Sequence, residues 1–239
     1  MKVDILAFGA HPDDVELGCG GTLAKLIKEG KSVAIVDLTR GELGTRGTEF
    51  TRKEEAAAAA KILGVQHREN LEMKDGFLAN TEDYQMRIVK MIRKYQPQIV
   101  FANAIDDRHP DHAKAAKLVS DACFLSGLVK IPTENNGELQ AVWRPKYIFN
   151  YIQWKPVPPD FVVDISDFID QKIEACLAYA TQFYNPESKE PITPIATKDF
   201  LESLTYRAQD LGRLSGVTYA EGFTSETLMA MKNFSGLVL

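Results

Sequence analysis

Val3-Asp4-Ile5-Leu6-Ala7-Phe8-Gly9-Ala10-His11-Pro12-Asp13-Asp14 is the stretch that decides the fold. Val3 to Phe8 is a short, nearly continuous apolar run, the pattern of a strand buried on both faces. It breaks into a glycine, a histidine and two acids, and Val15 to Glu29 then runs at helical spacing up to Gly30. A buried strand that passes its chain directly to a helix opens a parallel α/β sheet.

The same alternation continues outward. Ser32 to Asp37 and Gln98 to Ala102 are further strand-like runs, and a short third strand lies near His67. Helical patterns lie between them: Arg52 to Leu63, closed by Gly64, and the spaced set Ile88, Met91, Ile92 and Tyr95. Ala113 to Leu125 reads as another helix, Pro132 to Gly137 as a surface loop, and Tyr147 to Ile152 as a return to the sheet. Ile169, Ile173, Cys176, Leu177 and Ala180 mark a later helix, and Phe200, Leu204, Ala208 and Leu211 mark the next. Between them Asn185 to Pro194, with three prolines, is a loop placed to border a site. The expected architecture is a three-layer α/β fold with a mostly parallel, doubly wound, Rossmann-like sheet, residues 1–239 forming one domain.

Composition narrows the function. With 28 Lys+Arg against 33 Asp+Glu the net charge is −5, which argues against an extended nucleic-acid footprint and for a small ligand. No run approaches the roughly 20 apolar residues of a membrane span. The opening apolar run meets Gly9 and His11 too early for a signal sequence, and three scattered cysteines, Cys19, Cys123 and Cys176, fit buried thiols in a reducing compartment. The expected location is the cytoplasm.

Three of the four histidines fall in two similar phrases, Ala10-His11-Pro12-Asp13-Asp14 and Arg108-His109-Pro110-Asp111-His112. Each follows a strand and opens a helix, at the carboxyl ends of the first and fourth strands. If the sheet winds outward in both directions from the first strand, these two strands are neighbours across the switch point where open α/β sheets bind ligands. Imidazole and carboxylate suit zinc, and catalytic zinc sites use three protein ligands. His11 and Asp14, three apart on a turn entering a helix, can share a centre that His112 completes. Asp13 then stands beside the metal as a base. Fe²⁺ suits the same donors, so a non-haem iron oxygenase is one rival reading, and a non-catalytic sugar- or metal-binding protein another. Pro-Asp-Asp is equally a good helix start, but two such phrases sharing three histidines at two strand ends exceed what capping needs. His67 stands alone and reads as structural or exposed.

The loop from Thr39 to Gly47 follows the second strand; its glycines, Gly41 among them, permit close backbone approach, and Glu42, Arg40 and Arg46 offer directional contacts. It lacks Walker spacing, and Gly18-Cys19-Gly20-Gly21 lacks dinucleotide spacing, which leaves close helix-to-sheet packing as the use of those glycines. Arg52 and Glu55 fit a solvated i,i+3 pair as well as they fit a substrate contact.

At these residues the sequence resembles the LmbE-like, or PIG-L-like, N-acetylglucosaminyl deacetylases. The likeness rests on AHPDD at 10–14 with GG at 20–21, Arg-Gly-Glu-x-Gly at 40–44, Arg52 with Glu55, and HPDH at 109–112. It implies a zinc-dependent hydrolase with His11, Asp14 and His112 on the metal, Asp13 as base, His109 assisting the tetrahedral intermediate and Asp111 orienting His109. Arg52, Glu42 and Gly41 are the candidate substrate-binding residues. The RGELGTRGT wording is most similar to the bacillithiol biosynthesis deacetylases, which implies a glucosaminyl-malate substrate and a homo-oligomer, commonly a hexamer.

Overall fold

The computed structural model describes residues 1–230 and 233. Strand β1 (Ile5–Gly9) leads into helix α1 (Asp14–Lys28), β2 (Val33–Thr39) into α2 (Glu49–Leu63), β3 (His67–Met73) into α3 (Glu82–Tyr95), and β4 (Ile99–Ala102) into α4 (Pro110–Leu125). An exposed hairpin, β5 (Glu134–Asn135) and β6 (Glu138–Leu139), occupies the stretch expected as a surface loop. The chain then adds β7 (Tyr147–Tyr151), β8 (Phe161–Asp164), α5 (Ile169–Leu177), α6 (Lys198–Ser215) and β9 (Ala220–Ser225). Among the described residues no helix is long and apolar enough to cross a membrane.

The main sheet has seven strands in the order β3-β2-β1-β4-β7-β9-β8. The first five are parallel, with Ile5 beside both Val33 and Ile99, while β9 pairs antiparallel with β7 and β8. The sheet winds away from β1 in both directions, so the loops after β1 and β4 meet at the switch point. Alternation along each strand explains the continuous apolar runs. Leu6, Phe8, Ala34 and Val36 enter a core under α3 and α4, whereas Ile5, Ala7, Val33 and Ile35 enter one under α1, α2 and α5.

Helix termini follow their chemistry. Thr48 caps α2 through Thr51, Thr81 caps α3 through Tyr84, and Gly64 closes α2 at φ +82°, a left-handed turn that favours glycine. Helix α1 departs from the rule in its middle. Cys19 is non-helical (φ −144°, ψ 19°), and the break frees backbone groups inside the protein. Glu221 of β9 accepts from the amides of Gly21 (3.1 Å) and Thr22 (2.7 Å). Lys172 of α5 pairs with Glu221 and donates to the Leu17 carbonyl at 2.8 Å. The glycines here serve close packing, as expected: a Cβ on Gly18 would lie 2.0 Å from the Tyr151 ring.

Candidate metal centre and its cleft

The polypeptide leaves β1 with the Ala10 amide held by Asn103 Oδ1 at 2.8 Å, which ties the first phrase to the loop after β4. The turn that follows places Asp13 at φ +113°, a conformation that non-glycine residues adopt only at a cost of about 1–3 kcal/mol. Asp14, the first residue of α1, is buried and fully engaged. Its Oδ2 accepts from the His11 amide (2.9 Å) and Asn103 Nδ2 (3.0 Å), and its Oδ1 accepts from Gln153 Nε2 (2.6 Å).

Both histidines expected on the metal turn a ring nitrogen to this carboxylate. His11 Nδ1 lies 3.4 Å from Asp14 Oδ2, and His112 Nε2 lies 3.2 Å from Asp14 Oδ1. The opposite nitrogens face other acids: His11 Nε2 lies 3.0 Å from Asp75 and 3.5 Å from Asp111, and His112 Nδ1 lies 2.7 Å from Asp107. The two imidazoles approach different oxygens of Asp14, and imidazole and carboxylate are the donor types that zinc takes. Carboxylates behind the outer nitrogens are the usual support of zinc-bound histidines. The donor set therefore fits a zinc ion.

Among the described residues the groupings whose potential ligand atoms all lie within 4.8 Å of one another are His11, His109 and His112, and His11, Asp75 and Asp111; the set His11, Asp14 and His112 rests instead on the two contacts to Asp14. Hydrogen bonding separates His109 from the other two histidines. Its Nδ1 accepts from the Asp111 amide at 3.2 Å, so a neutral ring carries its proton on Nε2 and has no lone pair left for a metal.

The charges are those of a cation site. Burial disfavours charge on His11, but Asp111, Asp14 and Asp75 outweigh it and hold its pKa well above the ordinary value. At His112 burial is likewise overcome, by Asp14 and Asp107, and the pKa rises to about 9. Asp14 is held well below its ordinary value because His112 and His11 outweigh burial. Asp13 differs: burial pushes it to about 7 although Arg52 Nη2, 2.8 Å away, opposes the rise. For His109, burial and the neighbouring His11 and His112 lower the pKa to about 4.

Two expectations are corrected and one open alternative is narrowed. Asp111 does not pair its carboxylate with His109. The carboxylate accepts from the amides of Gly76 (2.7 Å) and Leu78 (3.2 Å) and faces His11, and its backbone amide is what reaches His109. Gly41 and Glu42 do not line the cleft beside these residues. Gly41, at φ +66°, lies where a Cβ would strike the Arg52 guanidinium at 2.4 Å, and Glu42 accepts from the Asp75 amide at 3.0 Å; Leu43 and Gly44 form the wall instead. Arg52 and Glu55 do not form a surface pair. Arg52 is buried against Asp13 and the Pro12 carbonyl and lines the cleft, while Glu55 binds Thr181.

The cleft is open to solvent and is lined by His11, Asp13, Asp14 and His112 together with Trp154, Ile195 and Phe200. The proline-bearing loop stands behind one wall, where Ser188 and Glu190 hold Arg46 and Gly47. His67 begins β3 at the opposite edge of the sheet, near the Tyr95 ring. Sequence reasoning passes over Asp75, Asn103, Asp107 and Gln153. All follow parallel strands at the carboxyl edge, so the topology is the signal that could have found them.

The family model described as "PIG-L: GlcNAc-PI de-N-acetylase" matches residues 6–123. Diacetylchitobiose deacetylase of Thermococcus kodakarensis is 33% identical over 228 residues, which cover 91% of this chain and 81% of that protein. The chain belongs to the PIG-L family. This PIG-L chain is also similar to the conserved protein TT1542 from Thermus thermophilus, whose crystal structure has 39% sequence identity and a TM-score of 0.87, covering 98% of this chain and 99% of that one. A probable N-acetyl-alpha-D-glucosaminyl L-malate deacetylase 2 of Bacillus anthracis is 26% identical over 195 residues, 75% of this chain and 81% of that protein. PIG-L membership and the observed three-layer sheet agree with the resemblance read from the two histidine phrases.

Proposed function

We propose that this PIG-L protein removes the acetyl group from an N-acetylglucosamine conjugate, N-acetylglucosaminyl-malate of bacillithiol biosynthesis, with zinc held by His11, Asp14 and His112. The supporting observation is Asp14, a buried carboxylate between two imidazoles that are each backed by a further acid, directly beside a second buried acid in an open cleft. A bound zinc ion supplies a Lewis acid that acidifies water and polarises a carbonyl. Asp13, buried and with its pKa near neutrality, is suited to take the proton from the attacking water, and Arg52 fixes its carboxylate. His109 is suited to act as a neutral Nε2–H donor to the oxygen that becomes negative as the amide carbon turns tetrahedral. Asp75, Asp111 and Asp107 hold the ligand rings in place.

A neutral amino-sugar oligomer is the second substrate reading, favoured by the 33% identity to the diacetylchitobiose deacetylase. Mass spectrometry of the zinc-loaded protein incubated separately with N-acetylglucosaminyl-malate and with diacetylchitobiose distinguishes them. Loss of one acetyl group from the malate conjugate at the higher kcat/KM is expected. A preference for the disaccharide replaces the malate assignment, and acetate release from neither removes the deacetylase reading.

A further inference from the structure

Three arginines line the cleft, and among the described residues only one of them is paired. Arg52 is committed to Asp13 and the Pro12 carbonyl, so its fork has little left for a substrate carboxylate. Arg207, on α6, has no ion-pair partner among the described residues, and its one hydrogen bond is a long contact of 3.4 Å to the Ile152 carbonyl. The acids whose charge it feels are Asp107 and Glu221. Both are engaged elsewhere. Asp107 holds His112 and the amides of Arg108, Trp154 and Lys155, while Glu221 holds Lys172 and the broken turn of α1.

Arg108 is the other arginine of the cleft without an acid partner among the described residues. It lies 4.3 Å over the Trp154 ring, and Trp154 stacks on Phe200 with centroids 5.2 Å apart and planes 16° from parallel. The cleft is thus lined by acids and histidines for the reacting amide, by aromatic rings, and by two guanidinium groups without an acid partner among the described residues. Arg207 is partly buried, and a partly desolvated guanidinium left unpaired is unfavourable, whereas Arg108 is exposed; a bidentate carboxylate satisfies the fork of either.

We infer that Arg207 and Arg108 form an anion subsite for the group on the anomeric carbon of the sugar, and that this group carries carboxylates. The assignment rests on the deacetylase reading of the cleft and moves the recognition of the conjugate away from Arg52.

The test uses the zinc-loaded protein with three N-acetylglucosamine derivatives: the neutral methyl glycoside, the malate glycoside and the 1-phosphate. The wild type is expected to favour the malate glycoside over the methyl glycoside. Arg207→Gln is expected to reduce that ratio of kcat/KM by about 10- to 100-fold, the worth of one charge-assisted contact, and the more exposed Arg108→Gln to reduce it by less. A ratio unchanged in Arg207→Gln overturns the subsite. A 1-phosphate used as well as the malate glycoside, with the same dependence on Arg207, overturns its carboxylate identity. Calorimetric titration with the deacetylated product, glucosaminyl-malate, reads the subsite without turnover. Binding that is weakened in Arg207→Gln, with no acetate released from any derivative, leaves the subsite standing while the deacetylase reading fails. Equal binding by both proteins removes the subsite whatever the activity.

Discussion

Asp13 and Asp14 are adjacent acids with opposite electrostatic situations, and that contrast divides their labour. Asp14 is surrounded by donors and stays ionised, whereas Asp13 faces burial with Arg52 as the main charge against it. Asp13→Asn is therefore expected to keep zinc and lose about 10²- to 10⁴-fold in kcat, measured by metal analysis and steady-state kinetics on the same preparation. Zinc lost together with activity would make Asp13 a ligand. Alanine at His11, Asp14 or His112 is expected to reduce zinc to well below one per chain in elemental analysis, while His109→Ala and His67→Ala keep it. A zinc-free His109→Ala protein would favour the three-histidine grouping. Since the pKa values of His11 and His112 are raised in the metal-free chain, both rings are protonated near pH 7 and must lose those protons to bind zinc. Apparent zinc affinity is then expected to rise with pH up to about 9, with proton release visible as a buffer-dependent heat in calorimetry. A pH-independent affinity between about 6 and 8 would refute it. The ligand candidates are legible in the sequence because His and Asp are rare in such tight phrases. Their supporting acids are not, since Asp75 and Asp107 look like ordinary loop residues until the sheet brings them to the rings.

At the scale of elements, the strands legible in the sequence are those whose apolar runs are uninterrupted. β9, Ala-Glu-Gly-Phe-Thr-Ser, escapes that reading because its burial comes from one aromatic and a paired glutamate rather than from a β-branched run. The break in α1 is equally hidden, because only the distant Glu221 and Lys172 make it tolerable. Glu221→Ala would leave two buried amides and an ammonium group without their partner. It is expected to lower stability by about 3–5 kcal/mol in urea unfolding, and a loss under about 1 kcal/mol would show that water replaces the carboxylate. Gly18→Ala is expected to destabilise by about 1–3 kcal/mol, because the new methyl meets the Tyr151 ring and not the end of a flexible chain. The corresponding change at Gly137, an exposed turn position with nothing near its absent Cβ, would be strained only by its φ of +82°.

For the whole molecule, the alternation of strands and helices in the first half is enough to locate the switch point, because parallel connections leave few topologies open. The antiparallel edge is not legible, since short strands such as Phe161–Asp164 carry no crossover helix to announce them. That edge has a consequence for assembly. The phrase from His11 to Asp14 precedes its supports along the chain: the carboxylate that satisfies the open turn of its helix lies at residue 221, and Gln153, which holds Asp14, also comes later. Without β9 the amides of Gly21 and Thr22 lack the carboxylate that accepts from them in the folded chain. The candidate site is therefore fully supported only once β7 and β9 have joined the sheet.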